Sequence, residues 1–185
     1  EINLNNLIYN IDQIKKKSGN SEIIGVVKAN AYGHGAVEIS KVLLNHGINR
    51  LAVANIVEAI ELRENEIKAP IMLLGISEDY AIDALLEYDV EPTISTYEFA
   101  MNLNNKANAL NKTVNIHIAM DSGMGRIGFR KNDKGLEDII NISKLSNLKI
   151  ESIFSHFSTA DSKDKSYSLR QLEIYNTFLD KLQEP

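Results

Sequence analysis

The 185-residue chain contains no cysteine, which excludes a disulfide framework and a thiolate metal site. It also has no excess of positive charge. Twenty Lys and Arg stand against 25 Asp and Glu, a net charge of -5. That balance argues against a surface built for nucleic acid or for an anionic membrane. No apolar run approaches the ~20 residues of a membrane helix, and no stretch reads as a signal peptide. The default expectation is a soluble cytoplasmic protein with no nucleic-acid partner and no membrane segment. A glycine fingerprint of the dinucleotide type is missing after the first apolar run, as are low-complexity linkers and charge blocks. What remains is ordinary globular composition, 44% hydrophobic and 24% charged, in a chain long enough for one domain with a core. The chain opens on Glu1 and stops at "KLQEP", just after a helical pattern. A segment of something longer is expected.

Short apolar runs alternate with longer helical patterns. The runs 23–28, 51–54, 71–74, 91–94, 114–120 and 150–154 are apolar or β-branched, as strands covered on both faces should be. Helical patterns lie at 36–45, 56–64, 80–87, 97–110 and 136–145, with an opening helix at 4–17 and a closing one at 166–182. Asn55 and the pair Ser95-Thr96 can cap helices that follow strands, and Gly47 is a stop signal. This repetition implies an α/β fold with a parallel sheet and right-handed crossovers. The spacing suits a (β/α)8 barrel of the TIM type, with about six of its eight βα units present. An open doubly wound sheet is the alternative.

Polar residues gather just after the strands. Lys28, Asn30 and Tyr32 follow the first, Asp121, Ser122 and Arg126 the fifth, and Ser155, His156 and Asp161 the sixth. In a barrel these positions form the face where active sites are built, although strand-to-helix loops are polar in any case. Lys28 is the least ordinary of them, because an apolar strand leads into it. A lysine in an apolar mouth loses charge to burial, and a neutral amine attacks carbonyls to form Schiff bases. In "AYGHG" the glycines would let backbone approach a ligand closely, and the helix start near Gly35 would offer N–H groups to an anion. In "MDSGMGRIGF" two glycines flank Met124, and Arg126 could fork onto a carboxylate or phenolate. A glycine turn with a surface arginine explains that stretch equally well. His156 leaves a strand end in "SHFSTAD", where a lone histidine is more often structural than catalytic. His117 is assigned no role.

Together, "VVKANAYGHGA", "MDSGMGRIGF" and "SHFSTAD" resemble the alanine racemase family in order and spacing, and "LAVANIVEAIELRE" and "PIMLLG" resemble it too. The resemblance covers essentially the whole chain. It implies that residues 1–185 are the N-terminal part of a barrel binding pyridoxal 5'-phosphate. A β-rich C-terminal domain would be absent, and the full-length protein would work as a homodimer. The implied activity is interconversion of L-alanine and D-alanine, supplying D-alanine for cell-wall peptidoglycan. Its chemistry is abstraction of the α-proton from a small amino acid held as a cofactor aldimine. Lys28 would be the cofactor lysine and the base on one face. Tyr32 would bond the phosphate, and Leu74 would line the ring pocket. Arg126 would sit beside the phenolic oxygen and the substrate carboxylate, and His156 would pack on the pyridine ring. No metal is implied. The acid for the other face would be a tyrosine of the partner subunit's C-terminal domain. The segment alone is therefore expected to be inactive.

One position departs from the family pattern. Many members carry a lysine, often carbamylated, two residues before the aspartate, where it steadies the arginine; here Ala119 stands there. A small void beside Arg126 is the expected consequence. Racemases of serine or of broader specificity stay open. So do a basic amino-acid decarboxylase, a non-enzymatic barrel that binds the cofactor, and a plain α/β scaffold.

Overall fold

A computed structural model describes residues 1–183. The chain divides into two compact units, one of Glu1–Ser77 with Asp83–Glu91, the other of Glu78–Ile82 with the residues from Pro92 onward.

In the first unit α1 (Leu4–Ser18) starts at Asn3, whose side chain accepts the Asn5 N–H. Three parallel strands follow, β1 (Ile24–Val26), β2 (Arg50–Val53) and β3 (Ile71–Ile76), with Gly25 opposite Leu51 and Leu51 opposite Ile71. Leu51, Ala52 and Val53 are wholly buried, as an inner parallel strand requires. The crossovers are α2 (Ala36–Asn45) and α3 (Ile56–Glu64). Ala36, Ile39, Ser40 and Leu43 put one face of α2 in the core at helical spacing. A Cβ on Gly25 would come within 2.8 Å of Leu43 Cδ1, so glycine lets α2 press onto β1. Asn55 caps α3 by accepting the Glu58 N–H. In the last turn of α3, Arg63 donates to four carbonyls, those of Ile67, Ala69, Tyr88 and Asp89. Burial lowers its pKa. Arg50 of β2 forms a buried ion pair with Glu91.

In the second unit a 3-10 turn (Asp79–Ala81) leads into α4 (Ile82–Glu87), which continues in the first unit, and β4 (Glu91–Ile94) contributes residues 92–94. β4 pairs in parallel with β5 (Val114–Asp121), and β5 with β7 (Leu148–Phe154). The crossover helices are α5 (Tyr97–Ala109), capped by Thr96, and α6 (Asp133–Ser143), capped by Asn132. A two-residue strand, β6 (Phe129–Arg130), pairs with Met120–Asp121. α7 (Ser166–Gln183) closes the described chain. Between β5 and β7 the register slips by one residue, since Ile116 faces Ile150 but His117 faces Ser152. At that bulge His117 Nδ1 lies 2.7 Å from Ser152 Oγ.

Both units thus carry the expected parallel alternation, with three corrections. The first strand stops at Val26, short of Lys28, because the backbone turns left-handed there. The pattern at 80–87 opens as a 3-10 turn. The glycines of residues 123–128 return the chain to β5 to make β6, which sequence periodicity does not register in two residues.

Candidate active site

In the first unit Val27 is buried, and its N–H donates to Ala52 O at 2.9 Å. Lys28 follows, half-buried. Then four consecutive non-glycine residues, Ala29, Asn30, Ala31 and Tyr32, wind left-handed with φ between 50° and 55°. Each such residue costs roughly 1–2 kcal/mol against the right-handed form, so the turn must be held from outside. Ala31 N–H bonds Val27 O at 2.8 Å. Ala29 N–H bonds Glu58 Oε1 at 2.8 Å, and Ala54 N–H bonds Glu58 Oε2 at 2.7 Å. Asn30 Oδ1 accepts Ala36 N–H at 2.7 Å, and Asn30 O accepts Gly35 N–H at 3.0 Å. His34 Nδ1 lies 2.8 Å from Ala31 O.

Gly33 and Gly35 serve the exit from the left-handed turn, with φ of 84° and 93°, and a Cβ on either would touch no protein atom within 4 Å. A positive φ at both positions suits glycine. The first N–H of α2, at Ala36, is already taken by Asn30. Tyr32 stands 62% exposed at the end of the turn. Leu74 is half-buried on β3, the second strand over from β1.

In the second unit Asp121 ends β5 and its Oδ1 accepts two loop N–H groups, Gly123 at 3.0 Å and Gly125 at 2.9 Å. That folds "SGMG" around the carboxylate and leaves Arg126 exposed on the loop. From α7, Tyr167 Oη donates to Gly123 O at 2.7 Å. Gln171, almost fully buried, joins two loops. Its Nε2 donates to Ser122 Oγ at 3.3 Å and to His156 O at 3.0 Å, and its Oε1 accepts Ser158 N–H at 3.0 Å. Ser155 Oγ donates to Met120 O at 2.8 Å and meets Ser122 Oγ at 2.7 Å. His156 is thereby held by its own backbone while its ring is exposed, and Asp161 is exposed as well.

Arg126 and His156 come together. Both line a cavity of about 10 Å³ with Met120, Asp121, Met124, Ile127 and Ser155. That is room for a single water at most. Ala119, expected to leave a void there, is not among the lining residues. It is buried in β5 opposite Phe154.

Glu58, Tyr167 and Gln171 were missed by sequence reasoning. Asn55-x-x-Glu58 has the form of a capping box, and Tyr167, Gln171 and Tyr175 recur at i, i+4, i+8 on α7, so a signal was present for each.

The donor set can be weighed against an aldehyde-bearing phosphate cofactor. The side chains of Lys28, Tyr32, Arg126 and His156 have no hydrogen-bond or ion-pair partner among the described residues. Each unit by itself supplies side-chain types that fit such a group: in the first, the Lys28 amine suits an aldehyde and the Tyr32 phenol a phosphate; in the second, the Arg126 guanidinium suits a phenolate and the His156 imidazole an aromatic ring.

The sequence matches the family described as alanine racemase, N-terminal domain, over residues 2–185. The chain belongs to the alanine racemase family. An alanine racemase of Clostridium kluyveri is 55% identical over 182 residues, which is 98% of this chain and 46% of that protein. The solved alanine racemase of Clostridium difficile 630 superposes with a TM-score of 0.95 at 41% identity, covering 98% of this chain and 48% of that one. A histidine racemase of Leuconostoc mesenteroides shares the fold at TM-score 0.85 and 26% identity, covering 96% of this chain and 47% of its own. The chain spans about half the length of the relatives it matches. Its fold is accordingly the expected α/β one, part of a TIM-type barrel. Among the described residues no helix is long and apolar enough to cross a membrane.

Proposed function

We propose that this chain is the N-terminal part of a pyridoxal-phosphate-dependent racemase that interconverts L- and D-alanine. The full-length protein would be a cytoplasmic homodimer supplying D-alanine to peptidoglycan. The observation that carries the reading is Lys28, an amine without a partner on a backbone turn pinned at both flanking peptides. Identity of 55% to an alanine racemase favours alanine over the other amino acids the fold accommodates.

Bound pyridoxal phosphate would supply the electron sink that makes an α-C–H acidic. Lys28 would hold the cofactor until substrate displaces it. Its freed Nζ would then take the α-proton of one enantiomer from its face, and in the reverse direction deliver a proton to that same face. Tyr32 would bond the phosphate and Leu74 line the ring pocket. Arg126 would hold the substrate carboxylate and the phenolic oxygen by charge-assisted bonds, and Asp121, by folding the loop, would set where the guanidinium stands. His156 would stack on the ring, with Gln171 fixing its backbone. The proton donor for the opposite face would come from outside these residues.

The test is borohydride reduction of the full-length protein with pyridoxal phosphate, followed by peptide mapping and by chiral chromatography of alanine. The expected outcome is a trapped adduct on Lys28, lost in Lys28→Ala together with racemisation. An adduct on another lysine refutes the assignment, and carbon dioxide release from a basic amino acid would identify a decarboxylase instead.

A further inference from the structure

We infer that Glu58 is a positioning residue for Lys28, acting through the peptide that follows it. The role rests on the reading of Lys28 given above.

Glu58 occupies the third helical position after the cap residue Asn55. In an ordinary capping box such a glutamate reaches back to the N–H of its own cap. Here it serves two other donors. Oε2 accepts the Ala54 N–H at 2.7 Å, and Oε1 crosses to the Ala29 N–H at 2.8 Å, 29 residues away in sequence. Ala29 is the first left-handed residue, and its N–H belongs to the peptide bond of Lys28. An N–H at the start of a helical turn has no partner within the turn, and Glu58 provides one. On the other side of Lys28, Val27 N–H is fixed to Ala52 O. The Lys28 backbone is thus held at both ends, by the β1–β2 pairing before it and by Glu58 after it. The Glu58 bond is also what sets the chain on its left-handed course, and that course directs the lysine side chain.

Two donors on two oxygens require a carboxylate. Glutamine has one acceptor oxygen, and its amide NH₂ would face an N–H donor. Glu58→Gln therefore keeps one of the two bonds and can keep the one to Ala29, so the test variant is Glu58→Ala, which removes both. Asn55→Ala is the control. It removes the cap of the same helix, through the 3.1 Å bond from Glu58 N–H, without touching Ala29.

Both variants are made in the full-length protein. Three quantities are measured: amide hydrogen exchange at Ala29, the rate of borohydride-trapped pyridoxal-phosphate adduct on Lys28, and the thermal midpoint. In Glu58→Ala, Ala29 exchange should rise and adduct formation should slow roughly tenfold or more, the scale of losing a hydrogen bond to a charged group. Asn55→Ala should lower the midpoint with adduct formation near the parent rate. Unchanged Ala29 exchange overturns the clamp. Faster exchange with an unchanged adduct rate overturns the positioning role. Equal slowing in both variants makes the effect one of helix stability and overturns it too. If the parent traps cofactor at another lysine, the Lys28 reading fails and the role fails with it, while the exchange data still report whether the clamp exists.

Discussion

Gly128→Ala should be far more damaging than Gly125→Ala, although the two glycines lie three residues apart in the Arg126 loop. At Gly128 the backbone has φ of 113°, and an added Cβ would lie 2.8 Å from both Ala119 O and Asp121 N and 2.9 Å from Ala119 C. All three are backbone atoms of β5, so no side chain can swing away. Strain in that backbone region costs about 1–3 kcal/mol, and overpacking against atoms that cannot yield costs about 1–3 kcal/mol more. The sum, roughly 2–6 kcal/mol, is a large share of the ~5–15 kcal/mol that holds an ordinary domain folded. At Gly125 φ is 74° and a Cβ would meet nothing within 4 Å. Only the left-handed backbone is penalised there, by roughly 1–2 kcal/mol. The relief route at Gly128 is to open the β5–β6 pairing of Met120 with Phe129 and Asp121 with Arg130. That would move Asp121, whose carboxylate folds the loop. Urea unfolding of the full-length protein and both variants measures the ordering. Equal midpoints in the two variants, or a Gly128→Ala protein within ~1 kcal/mol of the parent, would refute the close-approach argument.

Local signals were legible in the sequence, and contacts between distant segments were not. The helices Ala36–Asn45 and Ile56–Glu64 lie where apolar spacing and the Asn55 cap put them, because their determinants sit within a few residues. The left-handed turn after β1 has no such signature. Ala29, Ala31 and Tyr32 disfavour it, and only Asn30 tolerates it well. Its first N–H is held by Glu58 from the first turn of α3, 29 residues away, and Gly33 and Gly35 mark only its exit. The same division runs through the candidate site. Lys28, Tyr32, Arg126 and His156 could be singled out as candidates because they are reactive side chains after strands, in motifs that resemble a known family. Gln171 and Tyr167 are ordinary helix residues by type. Their meaning is the carbonyls and hydroxyls they reach in loops more than ten residues away.

Two further predictions concern α7. Gln171→Glu should lower stability by roughly 2–4 kcal/mol, since the carboxylate cannot donate to Ser122 Oγ or His156 O and is itself buried; a thermal midpoint equal to the parent's would show that the bridge between the loops is dispensable. The second prediction is a pH dependence. Tyr175 Oη donates to Ile153 O at 2.6 Å, and burial raises its pKa above the ordinary 10.0. The unfolded chain releases that proton near pH 10, whereas the folded protein keeps it to higher pH. Above about pH 10 the folded state therefore binds more protons than the unfolded state, so stability falls as pH rises through that window and is fully present below it. Tyr175→Phe loses the hydrogen bond, a destabilisation of about 1 kcal/mol at pH 8, but has no phenol left to titrate. Melting curves from pH 8 to about 11 should show the gap between parent and variant narrowing as the parent falls faster. Parallel curves across that range would mean that the half-buried phenol contributes nothing to alkaline unfolding.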